Sequence, residues 1–224
     1  MSETTHSTCR RLSGLDHLLS RVDQQLRRIA GERSGNPRNP VRPSPADGHD
    51  EPSLSGRERE HAAGLMRVNH TGEVCAQALY QGQAMMARSG DTREKLLDAA
   101  QEEADHLAWC ETRLKELDAE PSKLNPVFYA ASFALGAATA IVGDKVSLGF
   151  VHATEERVAK HLRSHLKTLP GGDHKSQLIL QQMLTDEERH GEEALEHGGE
   201  EFPRPIKDVM SLASQVMTRT TYWI

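Results

Sequence analysis

The chain is short of large rings. Phe, Tyr and Trp together make up nine of its 224 residues, about 4%. A core must then be built from Leu, Ala, Val and Met. Of these, Leu, Ala and Met favour helices, and runs of β-branched residues are scarce, so a sheet is not expected. Cysteine is equally sparse: Cys9, Cys75 and Cys110. An odd count of three excludes a disulfide framework that uses them all, and a reducing compartment is the simpler expectation. Basic charge is in deficit, with 27 Lys and Arg against 33 Asp and Glu, a net −6. No basic footprint for DNA or RNA is present, so no nucleic-acid partner is expected. The first ten residues are polar and lack the apolar centre of a secretory signal, so the chain reads as cytosolic or cytosol-facing. There is no glycine-rich phosphate loop and no Gly-x-Ser-x-Gly elbow.

What is present is helical periodicity, enough for one domain. Residues 1–30 read as an accessory N-terminal helix, with Leu15, Leu19, Val22 and Leu26 on one stripe. Residues 31–53 hold five of the ten prolines and only two apolar side chains besides proline, Val41 and Ala46. That composition cannot form a core and predicts a flexible linker. Residues 54–224 form the main domain. Long amphipathic stretches run from Ser55 to about Arg88, from Asp91 to about Asp118, from about Asp144 to Leu169, and from Asp173 to about Gly198. A last helix follows Pro203 and Pro205. The expected fold is all-α, a ferritin-like four-helix bundle with accessory apolar and C-terminal helices. Between Leu124 and Gly143 there is no charged residue. At roughly 20 residues this stretch is near the length of a bilayer span, yet Asn125, Pro126 and many alanines interrupt it. A buried bundle helix, an interfacial helix and a span all remain open on composition alone.

The chemistry lies in Glu-x-x-His. With 21 Glu and 12 His, about one such pair is expected by chance, and four occur: Glu3/His6, Glu58/His61, Glu103/His106 and Glu187/His190. Position discriminates among them. Glu103 shares a helical face with Leu96, His106, Cys110 and Leu114, and Glu187 with Leu180, Met183, His190 and Ala194. Both pairs therefore sit on stripes destined for the core, whereas Glu3/His6 and Glu58/His61 have no such stripe and read as chance. Glu102, Asp105, Asp186 and Glu188 fall off these stripes and are expected in solvent. Two lone glutamates repeat the anomaly, Glu155 among Leu148, Val151 and Leu162, and Glu73 among Met66, Ala76 and Tyr80. Four buried carboxylates in one core are costly and mutually repulsive unless a cation joins them. Glu73 precedes Glu103 by 30 residues and Glu155 precedes Glu187 by 32. Two helical hairpins, each offering Glu and then Glu-x-x-His, match the di-iron or di-manganese carboxylate arrangement. Oxygen donors with two imidazoles suit Fe or Mn. His161/His165 read as a surface pair, His152 as solvated or supporting Glu155, and Cys75 and Cys110 as packing residues.

The block Leu65-Met-Arg-Val-Asn-His-Thr-Gly-Glu73, its continuation to Gln83, and the motifs at Glu103–His106, Glu155 and Glu187–His190 closely resemble the demethoxyubiquinone hydroxylase family in its bacterial form. The resemblance covers residues 55–224. It implies an O2-dependent di-iron monooxygenase that hydroxylates the ring of a polyprenyl demethoxyquinol in ubiquinone biosynthesis. It implies two iron ions on Glu73, Glu103, His106, Glu155, Glu187 and His190, with Glu103 and Glu187 as candidates to bridge. Animal members have Tyr where this chain has Leu162, which places in doubt any electron relay through that position. NADH is the implied electron source, used directly or through a reductase. The membrane-borne quinol implies a peripheral place on the cytoplasmic side of the inner membrane, with residues 124–143 and the C-terminal helix as the apolar mouth. A homodimer and contacts with other ubiquinone-biosynthesis proteins stay open, and no substrate contact is assigned. A ferroxidase, peroxidase or manganese catalase, and a metal-free adaptor bundle, are the competing readings.

Overall fold

The computed structural model describes residues 42–224. The helix expected at 1–30 and the first part of the 31–53 stretch lie outside the described residues. Among the described residues every regular element is a helix: α1 Gly56–Met86, α2 Gly90–Glu116, α3 Asn125–Val142, α4 Asp144–Thr168, α5 His174–Glu196 and α6 Arg204–Thr221. The starts follow local chemistry. Ser55 and Glu58 form a reciprocal capping box at α1, the Ser89 side chain caps α2, and Asp173 caps α5. Proline stands in the first turn of α3 and of α6, where its missing N–H costs nothing. A single residue, Gly143, separates α3 from α4 and takes φ 154°, which a side chain would resist.

α1 and α2 form one hairpin and α4 and α5 the other, and their packing is the ferritin-like bundle. Asp144, at the start of α4, accepts from the backbone N–H of Arg88 (3.0 Å) and Ser89 (2.9 Å), which ties the first hairpin's turn to the second hairpin. α3 packs on α1 and α4, and α6 also touches both. The apolar core falls into two layers. One is built on Ala62, Met66, Leu114, Leu162, Leu180 and Met183, the other on Ala76, Tyr80, Leu96, Val151 and Ala194. On all four bundle helices the sequence between these layers carries the Glu and His residues singled out above.

The described end of the proline-rich stretch lies against the bundle. Ala46 is buried, and Glu51 pairs with the buried Arg113 at 2.7 Å, which also holds Asp173 at 2.7 Å. Composition reports the missing apolar residues of this stretch but not its polar anchoring.

α3 keeps one face on α1 and exposes the other. Thr71 donates to Asn125 (2.8 Å) and Tyr129 to Gln81 (2.8 Å) across the contact, while Val127, Leu135, Ile141 and Val142 are exposed. The backbones approach so closely that a Cβ on Gly136 would lie 2.2 Å from the Leu79 carbonyl oxygen, and one on Gly82 2.2 Å from that of Phe133. Gly136→Ala is therefore expected to destabilise the fold by about 2 kcal/mol or more in urea denaturation. Gly72→Ala, whose Cβ meets nothing within 4 Å, should be neutral or stabilise by up to about 1 kcal/mol.

Candidate metal centre

Between the two apolar layers the four bundle helices bring Glu73, Glu103, His106, Glu155, Glu187 and His190 inward, each at most 5% exposed. Ligand atoms of Glu73, Glu103, His106 and Glu187 lie within 4.8 Å of one another. His106 Nδ1 is 3.0 Å from Glu103 Oε2, 3.2 Å from Glu187 Oε1 and 3.3 Å from Glu73 Oε2. His190 Nδ1 faces the same two central glutamates from the other side, 3.4 Å from Glu103 Oε1 and 3.6 Å from Glu187 Oε2. Glu103 and Glu187 thus each present one oxygen to each imidazole. Glu73 lies beside His106. Glu155 lies on the second half, where the Tyr80 hydroxyl donates to its Oε1.

The donor set fits a metal pair on its own terms. Glu103 Oε1, Glu155 Oε2, both Glu187 oxygens and His190 Nδ1 are buried without a hydrogen-bond partner. Orphans of this kind are rare and costly in a core. The four glutamates and two histidines, offering carboxylate oxygen and imidazole nitrogen, suit hard to borderline divalent ions such as Fe(II) or Mn(II).

Electrostatics agree. Burial pushes the Glu73 and Glu155 carboxyls well above the usual carboxylate range, and the charge of Glu187 adds to both. Burial also opposes ionisation of Glu103 and Glu187, but the His106 and His190 imidazoles facing them outweigh it and hold both carboxyls low. The two imidazoles are held well above their ordinary range. Burial works against their charge and is outweighed by the facing carboxylates, Asp186 and Glu103 for His106, and Glu102 and Glu103 for His190. The cluster balances its own charge with protons wherever no cation does so.

Two expectations need correction. Asp105 and Asp186, placed in solvent by the helical stripes, are 2% and 4% exposed. Asp186 Oδ2 accepts from His106 Nε2 at 3.0 Å. Burial works against its ionisation, yet this bond and the Arg42 guanidinium hold Asp186 at about 2. Glu102 Oε2 sits 3.4 Å from His190 Nε2 in the matching place. Each imidazole thus has a carboxylate behind it, as metal-bound histidines require to fix the ring. These partners precede Glu103 and Glu187 by one residue, and a stripe drawn through the ligands cannot show that the next position reaches the neighbouring helix. His165, read as a surface residue, is buried. Its Nδ1 donates to Asn69 Oδ1 at 2.7 Å, and burial pushes its imidazole down to about 4.

The remaining candidates stay outside the cluster. His161 bonds Ser214, His152 bonds the Gly191 carbonyl, Glu58 caps α1, and His61 bonds Tyr222 and the Thr168 carbonyl. Cys110 packs in the core beside Met183, and Cys75 is half-buried. Glu3/His6 lies outside the described residues. Tyr80 shares the Glu73 stripe but serves Glu155 on α4, a pairing visible only in three dimensions.

The profile of the family described as Ubiquinone biosynthesis protein COQ7 matches residues 60–221. A 3-demethoxyubiquinol 3-hydroxylase of Pseudomonas fluorescens (strain Pf-5) is 53% identical over 218 residues, covering 97% of this chain and all of the relative. One of Azotobacter vinelandii is 54% identical over 215 residues, covering 96% of this chain and 98% of the relative. One of Chromohalobacter salexigens is 52% identical, covering 95% and 98%. The similarity therefore extends well into the N-terminal stretch, beyond the residues 55–224 on which the motifs lie.

The proton inventory predicts a measurable pH response. Without metal, the folded chain binds more protons than the unfolded one at Glu73, Glu155, His106 and His190. Stability then falls as pH rises, and above about pH 6.5, where unfolded histidine is neutral, all four groups contribute. The thermal midpoint of metal-free protein should drop between about pH 6 and about pH 9. Loading divalent ions should release protons from these groups, read by calorimetry in buffers of different ionisation enthalpy.

Proposed function

The chain belongs to the family of ubiquinone biosynthesis protein COQ7, and from that footing we propose that its buried cluster is a di-iron centre at which O2 hydroxylates the ring of a demethoxyubiquinol. The chain is an oxidoreductase of ubiquinone biosynthesis, a hydroxylase acting on 3-demethoxyubiquinol. The observation that carries the metal reading is the placement of Glu103 and Glu187, each facing both imidazoles within 3.6 Å. Glu73, Glu103, His106, Glu155, Glu187 and His190 would hold the ions, with Glu103 and Glu187 the two carboxylates that face both imidazoles.

Two ferrous ions bound there would supply electrons to O2. The protein's part is to hold the donors. Asp186 and Glu102 orient the imidazoles, Tyr80 orients Glu155, and the apolar layers above and below exclude water, which strengthens every charge interaction between them. The reducing equivalents are assigned to NADH, taken directly or through a reductase. The ferroxidase, peroxidase, catalase and adaptor readings give way, because relatives matched over nearly the whole chain carry the hydroxylase name.

A polyprenyl quinol resides in the bilayer, so the enzyme has to meet it there. Two helices support peripheral attachment. α3 is uncharged and long enough to cross a membrane, but it is packed on α1 along one face. α6 exposes Ile206, Val209, Leu212 and Val216, and Trp223 follows at 80% exposure. An amphipathic helix with a terminal Trp suits the interface between head groups and acyl chains. The assigned location is the cytoplasmic side of the inner membrane, where the same apolar faces are available to a second copy or to other ubiquinone-biosynthesis proteins.

Anaerobically purified protein should hold about two irons per chain and give coupled diferric Mössbauer signals after O2. Glu187→Ala should lose most of that iron. Two manganese ions, or no metal after reconstitution with Fe(II), would overturn the assignment. Val209→Glu with Leu212→Glu should weaken sedimentation with anionic lipid vesicles by about tenfold or more, each change removing roughly 1.5–3 kcal/mol of apolar burial.

A further inference from the structure

The segment just before the bundle reaches the metal centre. Arg42 lies fourteen residues ahead of Gly56, where the first helix starts, and its guanidinium spreads over three carboxylates of α2 and α5. Nη1 is 2.9 Å from Asp186 Oδ2, Nε 3.2 Å from Asp105 Oδ2, and Nη2 3.8 Å from Glu102 Oε2. The residue is pinned from below as well. Its guanidinium stands 5.0 Å over the ring of Trp109, whose Nε1–H donates to the Arg42 carbonyl oxygen at 3.3 Å. The Trp109 ring in turn tilts against that of His106, with centroids 5.2 Å apart. Arg42 Nη2 also lies 3.3 Å from His106 Nε2 itself, so Arg42 reaches this imidazole directly as well as through Asp186 and Trp109.

The geometry has a chemical consequence at His106. Only one proton can lie between His106 Nε2 and Asp186 Oδ2, which are 3.0 Å apart. Arg42 is a permanent donor and cannot give up its charge, so the Asp186 oxygen it holds acts as an acceptor. Without a proton Nε2 would face that acceptor lone pair to lone pair at 3.0 Å, closer than the Arg42 Nη2 donor at 3.3 Å, so the proton stays on Nε2 and the lone pair of a neutral imidazole is left on Nδ1, the atom that faces Glu73, Glu103 and Glu187. His190 is backed differently, by Glu102, which Arg189 of its own helix also holds.

We propose that Arg42 is a positioning residue of the metal centre: through Asp186 and Trp109 it fixes the ring and the proton of His106, so that Nδ1 is presented to the metal. The segment ahead of the bundle is in this way part of the site. The inference rests on the metal reading above, and the experiment separates the two.

Full-length wild-type protein, Arg42→Gln, Arg42→Lys and the surface control Arg59→Gln are titrated anaerobically with Co(II) in competition with a chelator. Zinc-loaded samples give long-range 1H–15N spectra of the histidines. Arg42→Gln is expected to bind its weaker ion about tenfold less tightly. Its His106 Nε2–H signal, sharp and hydrogen-bonded in the wild type, should broaden or disappear. Arg42→Lys, which keeps the charge and loses the fork, should recover part of both, and Arg59→Gln should match the wild type. Affinity in Arg42→Gln within about twofold of wild type, with the Nε2–H signal retained, overturns the proposal even if the thermal midpoint falls, because Arg42 is then only a structural clamp. Should the Gln variant fail to fold, Arg42→Lys decides by the same two readouts. A wild type that takes up no Co(II) overturns the metal reading, and this proposal with it.

Discussion

Four carboxylates and two imidazoles buried at the middle of a helical bundle are the constraint on which the rest of this molecule depends. Each ionised carboxylate brought into a core without a partner costs several kcal/mol, and neighbours of like charge raise that cost. Two divalent cations would cancel the charge. Protons do so in their absence, and burial accordingly shifts the Glu73 and Glu155 carboxyls up while the facing carboxylates shift the imidazoles up. The surrounding fold keeps both solutions within reach without collapsing around the cluster. Apolar layers on either side anchor the helices, and hydrogen bonds hold the donors in place.

Around the six central residues a second set of groups fixes orientation. Tyr80 holds Glu155, Asp186 backs His106, and Glu102 stands behind His190. The cations that balance these outer acids, Arg42 and Arg189, sit toward solvent at 32% and 43% side-chain exposure. Positive charge is thereby kept off the metal positions, where it would compete, and placed where its own desolvation is small. Farther along the bundle Arg113 does a structural version of the same task, joining α2 to the start of α5 through Asp173 and Ser176.

The outer surface answers a different demand. α3 could have been buried on both sides by its composition, yet glycine contacts press only one face onto α1 and leave Val127, Ile141 and Val142 outward. α6 repeats the pattern with Val209, Leu212 and Val216. A hydroxylase of a lipid-dissolved quinol needs both a dry reaction centre and a surface compatible with lipid. In this chain the bundle supplies the first and the two accessory helices are suited to the second.

Much of this was written in the sequence. Glu73, Glu103, His106, Glu155, Glu187 and His190 declare themselves because a helix repeats every 3.6 residues, so a charged residue on an apolar stripe can only point inward. Caps and prolines set the helix ends for the same local reason, and doubling of the Glu…Glu-x-x-His spacing made the bundle legible. Tertiary structure alone decided the rest. Asp186 and Asp105 are buried because α2 and α5 lie side by side, which no pattern within one helix can report. Tyr80 serves a glutamate 75 residues away, and Arg42 reaches acids on two helices from a stretch whose composition promised only a tether. Periodicity records which way a side chain leaves its own helix. What it meets there depends on how the helices pack, and that is where the supporting contacts of this centre are made.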